Sequence, residues 1–201
     1  MEKEDPKKWE VVKSEYLFRR PWLTARRDHV RLPDGTEQPE YYVLEYPDWV
    51  NVIARTRDGS FVLIRQYRHG IGRTCYELCA GCVEPTDASP EAAARRELLE
   101  ETGFGGGQWH LLATLSANAS STNNLTHCFV ATDVEHICGQ HLEATEDITV
   151  HLLTASEVRR LLQQNAILQA TMAAPLWQYF CQTRELSLPE DSGTGHSGSH
   201  P

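Results

Sequence analysis

The sequence predicts an α/β fold. Strand patterns fill residues 29–68 before any helix appears, a helix with clear start and stop signals follows at 89–103, and later strand patterns lead into further helix. Residues 1–8 are charged and read as a flexible N-terminus. Residues 187–201, "SLPEDSGTGHSGSHP", have the Gly, Ser and Pro content of a disordered tail, which confines the fold to about residues 9–186. Within that span, "HVRLPDGTEQPEYYVLEY" reads as two strands joined by a loop at Pro33-Asp34-Gly35, part of a small β unit over residues 9–47. A main domain over residues 48–186 then opens with "WVNVIARTRDGSFVLIRQYR", a hairpin turning at Asp58-Gly59.

The first helix starts at Ser89, a good N-cap, has Pro90 at the tolerant first position and stops at Gly103. The polar stretch "SANASSTNNLTHCFV" enters a strand, and its Asn and Ser residues either line a sugar pocket or form turns. "CFVATDV" and "ITVHLL" are the later strands. Thr154 and Glu157 make a capping box for a helix with Val158, Leu161 and Leu162 on one stripe, and "LQATMAAPLWQYF" continues as helix with a bend near Pro175. Tryptophans can stack on a nucleotide base, but Trp22, Trp49 and Trp177 read rather as core or interface anchors.

Composition excludes several classes of function. Lys plus Arg is 19 and Asp plus Glu is 28, so the formal charge is −9 and nothing attracts a nucleic-acid backbone in general. No apolar run approaches a membrane span and the start "MEKEDPKKWE" lacks the apolar core of a secretory signal, so a cytoplasmic protein without membrane partners is expected. The six cysteines are too few for a disulfide scaffold and are expected to be reduced. Cys75, Cys79 and Cys82 are spaced C-x3-C-x2-C, so a zinc or redox protein is a rival reading, against thiols that simply pack.

The densest chemical signal is "RRELLEETGF", residues 95–104. Glu97, Glu100 and Glu101 cluster near one face of the last two helical turns, where the helix dipole disfavours negative charge. A solvated acidic face is the plain reading. The alternative is a site for a hard divalent cation, which takes a few carboxylates together with water and substrate phosphates.

These residues resemble the box of the Nudix hydrolase family: Gly, five residues, Glu, seven residues, then Arg-Glu, an aliphatic residue, any residue, Glu-Glu, any residue, Gly. Residues Arg96 to Gly103 match every fixed position of its second half. The first half departs, because Gly81 is followed after five residues by Asp87 rather than Glu, and eight residues separate Asp87 from Arg96. Counting back from the helix puts Ala88 there instead. "LIRQYRHG" and "YELCAGCVE" extend the resemblance to the subgroup that cleaves ADP-ribose and related nucleotide sugars, with Cys79 in place of its usual proline.

The resemblance implies an α/β/α sandwich with a mixed central sheet, preceded by the small antiparallel β unit, through which a homodimer is expected. It implies Mg²⁺, or alternatively Mn²⁺, held by Glu97, Glu101, Glu100 and the backbone carbonyl of Ala80, with Arg96 orienting the glutamates and Asp87 bracing Arg96. Arg68 is the expected phosphate contact. In "HLEATEDITVHLL" the pattern selects Glu146 as the catalytic base, with the helix residue Glu100 as the alternative. The implied reaction is hydrolysis of a nucleoside diphosphate-sugar, ADP-ribose to AMP and ribose 5-phosphate, with GDP-mannose and UDP-glucose as competing substrates. A catalytically impaired nucleotide-binding module is the remaining rival, motivated by the irregular loop before Arg96.

Overall fold

In the computed structural model, which describes residues 5–20 and 23–183, the chain starts with three antiparallel strands in sequence order: Glu10–Arg20 (β1), Leu23–Arg31 (β2) and Glu37–Glu45 (β3). The turn between β2 and β3 forms where Pro33-Asp34-Gly35 predicts it. Gly35 takes φ 86°, which only glycine adopts freely, and Asp34 accepts the Thr36 amide. β1 adds a strand beyond the two read from sequence and is exposed along its whole length. The terminal expectations lie mostly outside the described residues; residues 5–8 form an exposed turn in which the Lys8 amide donates to the Asp5 carbonyl.

The second sheet contains eight strands. Trp49–Thr56 (β4) and Phe61–Arg68 (β5) make the predicted hairpin, with Gly59 at φ 87°; a short 3-10 turn then leads into Arg73–Glu77 (β6) and Cys79–Cys82 (β7). Pro90–Thr102 (α1) is followed by Phe104–Gly105 (β8), Gln108–Leu115 (β9), Thr126–His136 (β10), Thr149–Leu153 (β11), Ala155–Gln163 (α2) and Ala170–Gln182 (α3). The central order is β11-β5-β4-β10-β8, with β6 on β5, β7 on β4 and β9 on β10. Only β10 and β4 run parallel, which makes the sheet mixed.

Period-two alternation along β4 sets the layers. Val50, Val52 and Ala54 pack with Ala93, Ala94 and Leu98 of α1, whereas Ile53 faces Val158 and Leu162 of α2 and Met172, Leu176 and Phe180 of α3. The result is an α/β/α sandwich. Asn51, on the second face, is buried and donates from Nδ2 to the Thr171 carbonyl at 2.8 Å. The helix signals hold in detail: Ser89 accepts the Ala92 amide, Gly103 is left-handed at φ 75°, and both bonds of the Thr154–Glu157 capping box are present. Pro175 lies inside α3, as expected.

The polar segment before β10 is engaged in turns and backbone pairing. It stitches the two sheets together: Tyr41 donates to the Ser120 carbonyl at 2.7 Å, Leu44 to the Ser121 carbonyl at 2.7 Å, and Asn123 and Asn124 bond Tyr46 and the Pro47 carbonyl. Short polar side chains there serve turns and backbone pairing. Among the described residues no helix is long and apolar enough to cross a membrane.

Leu98 is fully buried where α1 meets the sheet. Leu98→Ala is expected to lower the unfolding free energy by about 3 kcal/mol in urea denaturation, the cost of a core cavity; a loss under about 1 kcal/mol would place α1 loosely on the sheet.

Candidate active site

The spacing of α1 lays Glu97 and Glu101 on the side facing β7, one turn apart, while Glu100 turns outward. Glu101 is 3% exposed and its Oε2 accepts the Ala80 amide at 3.0 Å. Gly81 lies beside it, and a Cβ there would displace the Glu97 carboxyl from its present place. Burial, then the charges of Glu97 and Glu146, act against hydrogen bonds from the Cys79 thiol and the Ala80 amide and push Glu101 up to about 8. Burial likewise raises Glu97.

Arg96 gathers the other carboxylates. Its Nη1 donates to Glu97 at 2.9 Å and to Glu100 at 3.1 Å, and its Nη2 donates to the Cys82 carbonyl at 3.0 Å. Asp87 takes the remaining edge with both oxygens, from Nε at 3.2 Å and from Nη2 at 3.0 Å. The extra loop residue is absorbed by a turn in which Glu84 and Asp87 bond each other's backbone, so Asp87, not Ala88, braces the arginine. This pairing holds Asp87 below its usual range and Arg96 above its own.

The loop carrying Glu146 is anchored to the end of α1. His141 donates to the Glu100 carbonyl at 2.8 Å, and Gln140 donates to the carbonyls of Glu101 at 2.7 Å and Ile148 at 3.2 Å, closing the loop at its base. These bonds also satisfy carbonyls that a helix end leaves open. The Glu146 carboxylate accepts the Glu143 amide at 2.9 Å and adds to the negative potential at Glu97 and Glu101.

Arg68 borders a pocket of about 980 Å³, large enough for a small-molecule ligand, whose walls include Trp49, Glu77, Ala80, Gly81 and Thr171. Glu77, only 2% exposed, grips Arg68 by Nε at 2.9 Å and Nη2 at 2.6 Å and raises its pKa. The structure therefore brings Arg68, Ala80, Glu97, Glu101 and Glu146 into one neighbourhood, with Glu100 at its rim.

Sequence reading did not assign three residues here. Glu77 stood in the quoted "YELCAG" without a role, Gln140 carried no motif, and Trp49, expected in the core or an interface, is a pocket wall packed on Tyr46 at 5.4 Å.

Among the described residues no three His, Cys, Asp or Glu side chains form a ready-made metal-binding group. Arg96 draws Glu97 and Glu100 toward itself, and the three thiols of C-x3-C-x2-C are free and not gathered, with Cys79 buried next to Glu101. The donor chemistry at Glu101 still fits a hard divalent cation: it is a buried carboxylate with no ion-pair partner among the described residues, and a cation bound there offsets the cost of its charge.

Two family models cover most of the chain. Residues 9–44 match the nucleoside diphosphate sugar hydrolase N-terminal domain, and residues 45–176 match the NUDIX domain. The chain belongs to the Nudix family. That family typically uses divalent metal ions. The chain is 27% identical over 189 residues to an ADP-ribose pyrophosphatase of Mycobacterium tuberculosis, covering 92% of this chain and 90% of the relative. It is 28% identical over 160 residues to the methanol dehydrogenase activator of Bacillus methanolicus, covering 78% of this chain and 84% of the relative. A crystal structure of an ADP compounds hydrolase shares the fold at a TM-score of 0.78 and 21% identity, covering 91% of this chain and 98% of that one.

Because Glu101 binds its proton more tightly folded than unfolded, the metal-free protein loses stability as pH rises from about 4.5 to about 8. Glu101→Gln removes that loss. Its melting temperature without metal is expected to exceed that of the wild type by ~10 °C or more at pH 8 and to match it near pH 4.5; a gain that does not vary with pH would refute the assignment.

Proposed function

We propose that this Nudix chain hydrolyses the pyrophosphate bond of a nucleoside diphosphate-sugar, with ADP-ribose the first substrate, giving AMP and ribose 5-phosphate. The observation that carries the reading is the placement of the buried Glu101 and the half-buried Glu97 against Ala80 and Gly81, which border the same pocket as Arg68. The activity for which the Mycobacterium relative is named and the match of residues 9–44 support the substrate class.

In this reading Glu97, Glu101 and the Ala80 carbonyl hold Mg²⁺ or Mn²⁺, with Glu100 at the edge of the set. Bound there, the metal offsets phosphate charge and makes phosphorus more electrophilic. The chain's own groups do the rest. Arg68, fixed by Glu77, pairs with phosphate oxygens. Arg96, braced by Asp87, keeps Glu97 and Glu100 in place. Glu146 leaves its hydrogen bond to the Glu143 amide and takes a proton from the attacking water. The water oxygen bonds to phosphorus, the bond from that phosphorus to the bridging oxygen breaks, and the bridging oxygen departs with the other phosphate. The bidentate Asp87–Arg96 pair speaks against the impaired-module rival, since it restores the brace that the irregular loop put in question.

The deciding experiment measures phosphatase-coupled phosphate release from ADP-ribose, GDP-mannose and UDP-glucose with Mg²⁺ and with EDTA. Turnover of ADP-ribose is expected to require Mg²⁺ and to fall at least ~100-fold in Glu101→Gln and in Glu146→Gln. Binding of ADP-ribose with no turnover by wild type would establish the impaired module instead. Retention of activity in Glu146→Gln would move the base to Glu100.

The N-terminal unit supports a homodimer in the same reading. β1 is an edge strand of its sheet, and it exposes Val11, Tyr16 and Phe18, the last at 58%. Light scattering is expected to give the mass of two chains; the mass of one chain overturns the dimer.

A further inference from the structure

We infer that Arg73 is a second phosphate-binding residue, forming with Arg68 a two-guanidinium clamp for the diphosphate of the substrate; the inference rests on the pocket being the nucleoside diphosphate-sugar site proposed above.

The register of β5 and β6 carries the argument. Arg68 lies directly opposite Arg73, Gln66 opposite Cys75 and Ile64 opposite Glu77. Side chains alternate along a strand, so Arg73, Cys75 and Glu77 share one face of β6, and all three border the pocket together with Arg68. Like charges opposite each other across antiparallel strands repel, and a sheet normally avoids or neutralises such a pair.

Neutralisation here is incomplete. Glu77 is committed to Arg68, holding Nε and Nη2 with both carboxylate oxygens, so Nη1 of Arg68 stays outside that pair. Arg73 is exposed and has no ion-pair partner among the described residues. Two guanidinium groups and one carboxylate leave this wall with a charge of +1 (2 − 1), in a chain whose overall charge is −9. An anion with several oxygens is the ligand that relieves the repulsion, because guanidinium groups pair with phosphate oxygens in two-pronged fashion. Ala80 and Gly81, which abut Glu101 and Glu97, border the same pocket. A diphosphate bound in this pocket is thus offered two arginines by the β5–β6 wall, beside the strand that abuts the α1 carboxylates.

The test is calorimetric titration of inorganic pyrophosphate in EDTA into the full-length wild type, Arg73→Gln and Arg73→Lys, with Arg160→Gln on α2 as a surface control. Each variant's melting temperature is checked, and its KM for ADP-ribose is measured separately with Mg²⁺. Arg73→Gln is expected to weaken pyrophosphate binding about tenfold and to raise KM in the same proportion. Arg73→Lys falls between, since a point charge keeps attraction but loses two-pronged pairing, and Arg160→Gln matches the wild type. Unaltered binding in Arg73→Gln, or no pyrophosphate binding by wild type, overturns the clamp. The hydrolase reading fails separately: wild type that binds pyrophosphate through Arg73 but turns over no nucleoside diphosphate-sugar keeps the clamp and loses the hydrolase. Turnover with Kd and KM indifferent to Arg73 does the reverse.

Discussion

The contact on which the site depends is the burial of the Glu101 carboxylate between α1 and β7. A carboxylate removed from water with only an amide and a thiol as donors resists ionisation, and its pKa near 8 expresses that cost. Neighbouring features follow from accommodating it. β7 must approach α1 closely enough for the Ala80 amide to reach it, and the Glu97 carboxyl fills the space that a side chain at position 81 would take. Arg96 balances the charges that remain at the surface, and it is itself fixed by Asp87 and the Cys82 carbonyl.

The site is assembled from four parts of the chain: the β5–β6 hairpin, β7, α1 and the loop before β11. The sandwich brings them to one end of the sheet. β4 is the common partner, since it pairs with β7, β5 and β10 and sends alternate side chains to α1 on one face and to α2 and α3 on the other. Gln140 then ties the loop bearing Glu146 to the last turn of the same helix that carries the carboxylates. The loop bearing Glu146 is thereby tied to α1 rather than independent of it.

The N-terminal sheet is joined to this core by more than its linker. The segment before β10 bonds the chain from Tyr41 to Asp48, and His127 pairs with Asp48 at 2.9 Å, so the orientation of the exposed β1–β3 sheet is set by the core's own parallel strand. Any partner bound along β1 would therefore be held in a fixed relation to the pocket.

What the sequence determined by itself was what local spacing encodes. Ser89, Pro90 and Gly103 bound α1, Asp34-Gly35 and Asp58-Gly59 place the turns, and the intervals among Arg96, Glu97, Glu100 and Glu101 put the acidic cluster on the helix; each follows from backbone geometry over a few residues. The irregular loop was visible as a miscount, but not its resolution: whether Asp87 or Ala88 met Arg96 depended on how the loop folded back. The grip of Glu77 on Arg68, the pairing of Arg68 with Arg73, the anchoring by Gln140 and the high pKa of Glu101 were decided only by the tertiary structure. Those properties depend on which strand becomes a neighbour and how much water is excluded. Neither is a function of spacing along one segment, because both are set by the whole sheet closing around its core.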